Sequence, residues 1–398
     1  MDDTQVSGAA AELDSARAWI MTGESFVSMF VVYGVAYSFG AFFKPMAHEF
    51  GASPSATSAV FSITVCLWSL LGWPSGHYAD RFGPGPVVAA GALAMGAGLI
   101  ATAFIRHLWV GYLTYGVGVG IGVACAYVPV VAVVGGWFLR RRNTALGVAV
   151  AGIGCGTLIV APITAALIVR LGWRDSYVVL GIASATVLVA CAAIVKRPPV
   201  HVAPVPFKVR EAIRRPAFGL LYASSLLSSM GLFVPFVFLP AFARDHGAGE
   251  VAAATLVGLI GGASVVGRLG LGAFADRMGV MKLYQACYLI VGLSFALWLF
   301  AYSYLVLVIF ALVLGVGYGG YVALSPAVIV HLFGTHRLGS VLGALYTSGG
   351  VGVLMGPPVA GLIISHSGYR WAIAFAMLTG LAAWAVLLPL ETTGGESG

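Results

Sequence analysis

Arg268 sits in a stretch that carries no other charge, Leu256-Val-Gly-Leu-Ile-Gly-Gly-Ala-Ser-Val-Val-Gly-Arg268-Leu-Gly-Leu-Gly-Ala-Phe274. The next acid is Asp276, eight residues on. A helical rise of ~1.5 Å per residue places the guanidinium ~12 Å from that polar boundary. Half of a bilayer's hydrocarbon is about 15 Å thick, so Arg268 lies near the midplane. Arginine keeps its proton in essentially any surroundings. A charge at that depth is costly unless it faces a wet cavity or a counter-charge. No Asp or Glu falls at mid-depth in any apolar stretch, so the chemistry expected of Arg268 is docking of an anion. Its N–H fork matches a carboxylate in bidentate fashion. The competing reading is a structural arginine that donates to a backbone carbonyl of another helix.

Other side chains with usable chemistry are fewer. Tyr33 and Tyr37 lie one helical turn apart on one face, where they either line a cavity or pack. His331 is a proton-coupling candidate, histidine being the side chain suited to carry a proton in the physiological range, and the bland reading is a satisfied interfacial histidine. Lys44 is expected to snorkel to lipid headgroups. The cysteines Cys66, Cys125, Cys155, Cys191 and Cys287 form no Cys-x-x-Cys pair, so neither disulfides, nor a metal site, nor any cofactor is expected.

The elements that position these residues are membrane helices. The chain is 60% hydrophobic and 9% charged, far from the roughly 25% charge of soluble domains. Apolar runs of helical length recur near 26–47, 58–78, 86–104, 108–136, 144–168, 176–195, 216–243, 251–275, 282–302, 304–332, 339–364 and 371–390. They do not alternate, which excludes a β-barrel. The fold class expected is an all-α membrane protein with twelve transmembrane helices. Residues 1–23 read as a cytoplasmic tail without fixed structure, 24–196 as six helices, 197–215 as a linker with four prolines, 216–390 as six more helices, and 391–398 as a second tail. With both termini in the cytoplasm, basic residues concentrate on that side, as the positive-inside rule requires. The location expected is a cell inner membrane, and the formal net charge of +7 then reflects topology, with no nucleic-acid partner.

The two halves repeat. Gly76-His-Tyr-Ala-Asp80-Arg81-Phe-Gly83 matches Gly272-Ala-Phe-Ala-Asp276-Arg277-Met-Gly279, and Gly172-Trp-Arg174 matches Gly368-Tyr-Arg370, both at an offset of 196 residues. Polar landmarks at a constant spacing indicate duplication, with two pseudo-symmetric six-helix bundles around a central cavity. Asp80, Arg81, Asp276 and Arg277, with Arg141 and Arg337 at equivalent turns, are candidate conformational latches. The bland reading is solvated topological punctuation.

Gly-x-x-x-Asp-Arg-x-Gly after the second span, and again after the eighth, resembles the signature of the major facilitator superfamily. A narrower resemblance is to its monocarboxylate-transporter and oxalate-exchanger branch. Phe233-Val-Pro235-Phe-Val-Phe-Leu-Pro240-Ala-Phe-Ala-Arg244-Asp245, Val266-Gly-Arg268 and Tyr127-Val-Pro129 carry it. The resemblance implies that Arg268 binds substrate carboxylate and that Tyr127 faces the interior. It also implies that Asp245 handles a proton. Tyr321, 194 residues after Tyr127, and Tyr318 one turn earlier are related candidates. The chain departs where some members carry an acid one turn before the arginine, because Ser264 stands there, itself a candidate to contact the substrate. It departs also at Ala41, where some members carry a lysine, and at Gly349, where the oxalate exchanger has a second cation. One buried cation balances a monoanion and not a dianion. The function expected is alternating-access transport of a small monocarboxylate, lactate-like or pyruvate-like, by a monomer in the lipid bilayer with a proton as co-substrate. The alternative is an exchanger or exporter of bulkier organic anions or aromatic amino acids, favoured by an aromatic cavity lining. An enzyme would need a nucleophile–base or metal constellation at depth, and the sequence has none.

Overall fold

Within hydrocarbon no water is present to bond the backbone, so each apolar run satisfies its own N–H and C=O groups as a helix. The computed structural model describes residues 13–199, 214–333 and 338–391, with the backbone alone for 272–277, 338–340 and 391. Arg337, the side chains of Asp276 and Arg277, most of the linker and both chain ends lie outside the described residues. Twelve of the described helices are long and apolar enough to cross a bilayer. They are α1 (Ala16–Glu49), α2 (Pro54–Phe82), α3 (Pro84–Ala103), α4 (Leu108–Trp137), α5 (Arg142–Leu171), α6 (Trp173–Ile194), α7 (Pro216–Asp245), α8 (Glu250–Met278), α9 (Val280–Leu299), α10 (Tyr304–Phe333), α11 (Leu338–Ser367) and α12 (Tyr369–Leu387).

Short turns set the hairpins. Gly83, Gly172, Gly279 and Gly368 each stand between two helices with φ of 98°, 82°, 83° and 85°, a conformation glycine adopts without a Cβ clash. These are the repeat positions, so the duplicated motif marks the tight returns. The Asp80-Arg81 and Asp276-Arg277 pairs occupy the last turns of α2 and α8, one step earlier than a polar turn would place them. Glycine alone ends these helices.

Packing repeats as well. In the first half α1 packs on α5, α2 on α4, and α3 on α4 and α6. In the second half α7 packs on α11, α8 on α10, and α9 on α10 and α12. The bundles meet where α2 contacts α11 and α5 contacts α8. The second of these seams is made of small residues. A Cβ on Gly154 of α5 would lie 2.4 Å from the Gly261 carbonyl of α8.

Both α1 and α7 are interrupted, at Ser38 and Phe233, which leaves the half-helices Phe39–Glu49 and Val234–Asp245. These halves pack on each other across the bundle boundary. A Cβ on Gly40 would lie 2.5 Å from the Phe236 carbonyl, and the Phe43 and Phe238 rings meet at 5.0 Å. We call this end of the molecule the far side and the end bearing Ala16 and Leu387 the terminal side. The far side is sealed.

The first helix corrects the expected tail. It begins at Ala16, and its N-cap Ser15 accepts from the Ala18 N–H at 3.4 Å. Asp14 anchors the entry, its carboxylate accepting from the N–H groups of Arg140, Arg141 and Leu139 at 3.1, 3.2 and 3.3 Å. The Arg140 N–H above all holds that carboxyl below its usual range. Capping and this distant loop, both outside any hydropathy pattern, order the segment. The early start also brings Glu24 inside a span, contrary to the expectation of no buried acid. It is buried, and Ser28 donates to it at 2.7 Å.

Gly154→Val is expected to wedge α5 from α8 at a cost of ~1–3 kcal/mol, lowering the unfolding temperature in detergent by at least ~2 °C. Gly219→Val, with nothing within 4 Å, is expected to change it by less. Thermal melts of the two variants check this.

Candidate functional site

Arg268 projects from α8 at the seam between the bundles. Its Nη1 donates to the carbonyl of Val150 on α5 at 3.2 Å, and its guanidinium carbon lies 5.6 Å from the centre of the Tyr318 ring. Close crossing of α8 and α10 places that ring. A Cβ on Gly267 would lie 2.2 Å from the Val316 carbonyl, and one on Gly319 only 2.0 Å from that of Ser264. The Nε of Arg268 is buried without a partner, and Arg268 makes no ion pair among the described residues. The structural-arginine reading is thus met for one N–H only. The other N–H groups of the fork remain for a ligand.

Aromatic side chains from both bundles enclose this charge. The Tyr37 and Tyr318 hydroxyls lie 3.4 Å apart, joining α1 to α10. Tyr33 meets Trp68 at 5.6 Å and Tyr127 edge-on at 5.8 Å. Phe236 of α7 lies tilted against Tyr37, with ring centres 4.6 Å apart. Tyr346 of α11 faces Tyr127 within electrostatic reach of Arg268. Tyr346 is 37% exposed, so the cluster is not closed on every side, and the seal at the far side leaves the terminal side as the route by which solvent would enter. The chamber offers one fixed positive charge, several phenolic donors and apolar ring faces. It is chemically suited to a small monoanion.

The predicted residues separate into three groups. Tyr33, Tyr37, Tyr127 and Tyr318 converge around Arg268, and Tyr321 joins them through Tyr318 at 5.9 Å while also packing on Tyr288 at 4.8 Å. Ser264 does not offer its proton to a ligand, because its hydroxyl donates to the Gly261 carbonyl at 2.7 Å. His331 is exposed at the terminal end of α10, thirteen residues beyond Tyr318 and so ~20 Å along the helix. It takes no part in the chamber.

At the far side Asp245 pairs with Lys44 of the other bundle, and the Tyr369 hydroxyl donates to its Oδ2 at 3.0 Å. Lys44 therefore bridges the bundles instead of reaching for headgroups. Asp80 and Arg81 are exposed and make no ion pair among the described residues. Arg197 instead donates to the Arg81 and Asp80 carbonyls at 2.7 and 3.3 Å. Arg141 contributes its backbone N–H to Asp14.

Trp68, Phe236 and Tyr346 were not anticipated. The repeat held the signal for two of them: Trp68 and Tyr346 occupy, at the 196-residue offset, the positions of Ser264 and Val150, which both flank Arg268.

The profile of the Major Facilitator Superfamily matches residues 25–299 and 221–397. Monocarboxylate transporter 3 of Rattus norvegicus is 32% identical over 367 residues, covering 88% of this chain and 75% of that protein. Monocarboxylate transporter 12-B of Danio rerio is 28% identical over 422 residues, covering 96% and 88%. Monocarboxylate transporter 4 of Rattus norvegicus is 29% identical over 385 residues, covering 90% and 80%. A solved bacterial homologue of the human lysosomal transporter Spinster, inward-facing and unoccupied, superposes with a TM-score of 0.75 at 13% identity. The match spans 96% of this chain and 98% of that one. At that identity the likeness is one of fold alone.

Arg268→Ala is expected to remove the thermal stabilisation that short monocarboxylates give the wild-type protein. Loss of a charge-assisted hydrogen-bond pair, ~1.5–3 kcal/mol, corresponds to ~10–100-fold weaker binding. Arg268→Lys is expected to restore little, because a single ammonium cannot make the paired contact. Ligand titrations followed by thermal shift check both.

Proposed function

We propose, from the premise that the chain belongs to the major facilitator superfamily, that it carries small monocarboxylates of the lactate and pyruvate type across a bilayer by alternating access. The chain is a multi-pass membrane transporter and not an enzyme, as are its relatives. The observation that carries the substrate class is Arg268, a guanidinium without an acid partner among the described residues, lining a chamber between two bundles. Relatives named for monocarboxylates support the same class. We take the terminal side as cytoplasmic, following the distribution of basic residues. The conformation described is then open inward and sealed outward.

The mechanism follows from charge. An empty chamber holds an unneutralised cation, and closing both ends around it removes its water. Contact with the Tyr318 face offsets part of this, ~0.5–2 kcal/mol. A bound carboxylate cancels the charge, so the loaded carrier reorients more readily than the empty one. Phenolic hydroxyls of Tyr127 and Tyr318 orient the anion, and the ring faces accept its short tail. For the accompanying proton we assign Asp245. Its carboxylate is reachable from the far side and holds Lys44 across the bundles. Protonation there removes the attraction that keeps the outer halves of α1 and α7 together.

The aromatic lining is also the observation that favours bulkier organic anions or aromatic amino acids. Competition against labelled lactate separates the two readings. Short acids compete best under ours, and aryl acids or phenylalanine under the other.

Lactate uptake into proteoliposomes is expected to accelerate as the outer medium is made more acidic, and Asp245→Asn is expected to flatten that dependence. Fast exchange that ignores pH would exclude symport and leave an exchanger.

A further inference from the structure

Among the places where the repeat makes the two halves equivalent but their contacts differ is the far end of the first and seventh helices. In the first bundle Glu49 ends α1, and Arg174 near the start of α6 pairs with it at 2.5 Å. The Trp173 indole donates to the same carboxylate at 2.6 Å. Arg174 also donates to the carbonyls of Ala103 and Ile105, the latter at 2.9 Å. One guanidinium thus ties the far ends of α1, α3 and α6 together.

Adding 196 to each number gives Asp245, Arg370, Tyr369, Leu299 and Ala301. Tyr369 keeps its part and donates to Asp245 at 3.0 Å. Arg370 does not. It is exposed, and among the described residues it makes neither an ion pair nor a side-chain hydrogen bond. Among the described residues no side chain donates to the carbonyls of Leu299 and Ala301. In their place is a cavity of about 470 Å³, lined by Leu299, Ala301, Tyr369 and Arg370 among others. Arg174 caps the Ala103 and Ile105 carbonyls in one bundle, whereas in the other the equivalent Leu299 and Ala301 border a cavity with Arg370 on its lining. Asp245 has instead turned to Lys44 of the opposite bundle.

We propose that Arg370 is a positioning residue of the transport cycle and the alternative partner of Asp245. In the sealed far side, Asp245 is held by Lys44 across the boundary. As the outer halves of α1 and α7 separate, Lys44 withdraws. Arg370 then enters the cavity, pairs with Asp245 and caps the Leu299 and Ala301 carbonyls at the end of α9, where a cation also meets the negative pole of the helix. While it carries no proton the carboxylate is never left unpaired, and in each access state the ionised acid has its own cationic partner. The second bundle alternates between two arrangements of a site that the first bundle keeps locked. This inference rests on alternating access and not on which anion is carried.

The test uses the full chain with its five cysteines replaced by serine and a reporter cysteine in place of Phe43, which is 4% exposed in the seal. Labelling by a membrane-impermeant maleimide from the far side reports opening. Lys44→Gln is expected to raise the labelling rate and Arg370→Gln to lower it, each roughly threefold or more, the scale of one exposed ion pair. Arg370→Lys is expected to keep most of the rate. Arg370→Gln is expected to leave the unfolding temperature of the sealed form unchanged, while the equivalent Arg174→Gln lowers it. Labelling that responds to Lys44→Gln but not to Arg370→Gln overturns the partner exchange alone. Labelling that responds to neither overturns gating at this seal and the alternating-access reading with it.

Discussion

A permanent positive charge in the middle of a bilayer dictates much of this architecture. Insertion scales put its cost at about 2.5–3.5 kcal/mol and isolated-helix simulations far higher, so Arg268 cannot face lipid. It lies instead at the seam between two bundles. There, a backbone carbonyl satisfies one N–H and an aromatic face meets the guanidinium. The glycines at the α8–α10 crossing serve the same end. They bring Tyr318 close enough to cover the charge without neutralising it. A carboxylate within reach would stabilise the empty state and remove the reason to bind an anion.

Duplication supplies the frame, and departures from it supply the asymmetry that transport needs. The offset of 196 maps Arg268 onto Gly72 and Val150 onto Tyr346. Each inter-bundle seam is therefore built alike but furnished differently, one with the cation and the other with a phenol. At the far side the same rule holds for charge. Glu49 is committed within its own bundle, whereas Asp245 reaches across to Lys44. Identical scaffolds with unequal side chains give the bundles a fixed partner and a switching one.

Legibility followed the range of the interactions involved. Helices, the twofold repeat and the isolation of Arg268 could be read directly, because hydrocarbon imposes long apolar runs and leaves few charges to account for. Tyr33 and Tyr37 shared a face by spacing alone, yet whether that face met a cavity depended on helices from the other bundle. The start of α1 was missed because Ser15 and Asp14 order it through a cap and through a loop more than a hundred residues away. Glu24 was misplaced for the same reason.

Composition and periodicity thus determined the spans, their pairing into halves and the one buried cation. These follow from local solvation, which every residue expresses by its own chemistry. Which rings surround that cation, that Ser264 donates within its own helix, that Lys44 holds Asp245 and that Arg370 stands idle beside a cavity were decided only by tertiary structure. Each depends on side chains far apart in sequence meeting at a bundle boundary, and no local pattern encodes the crossing that brings them together.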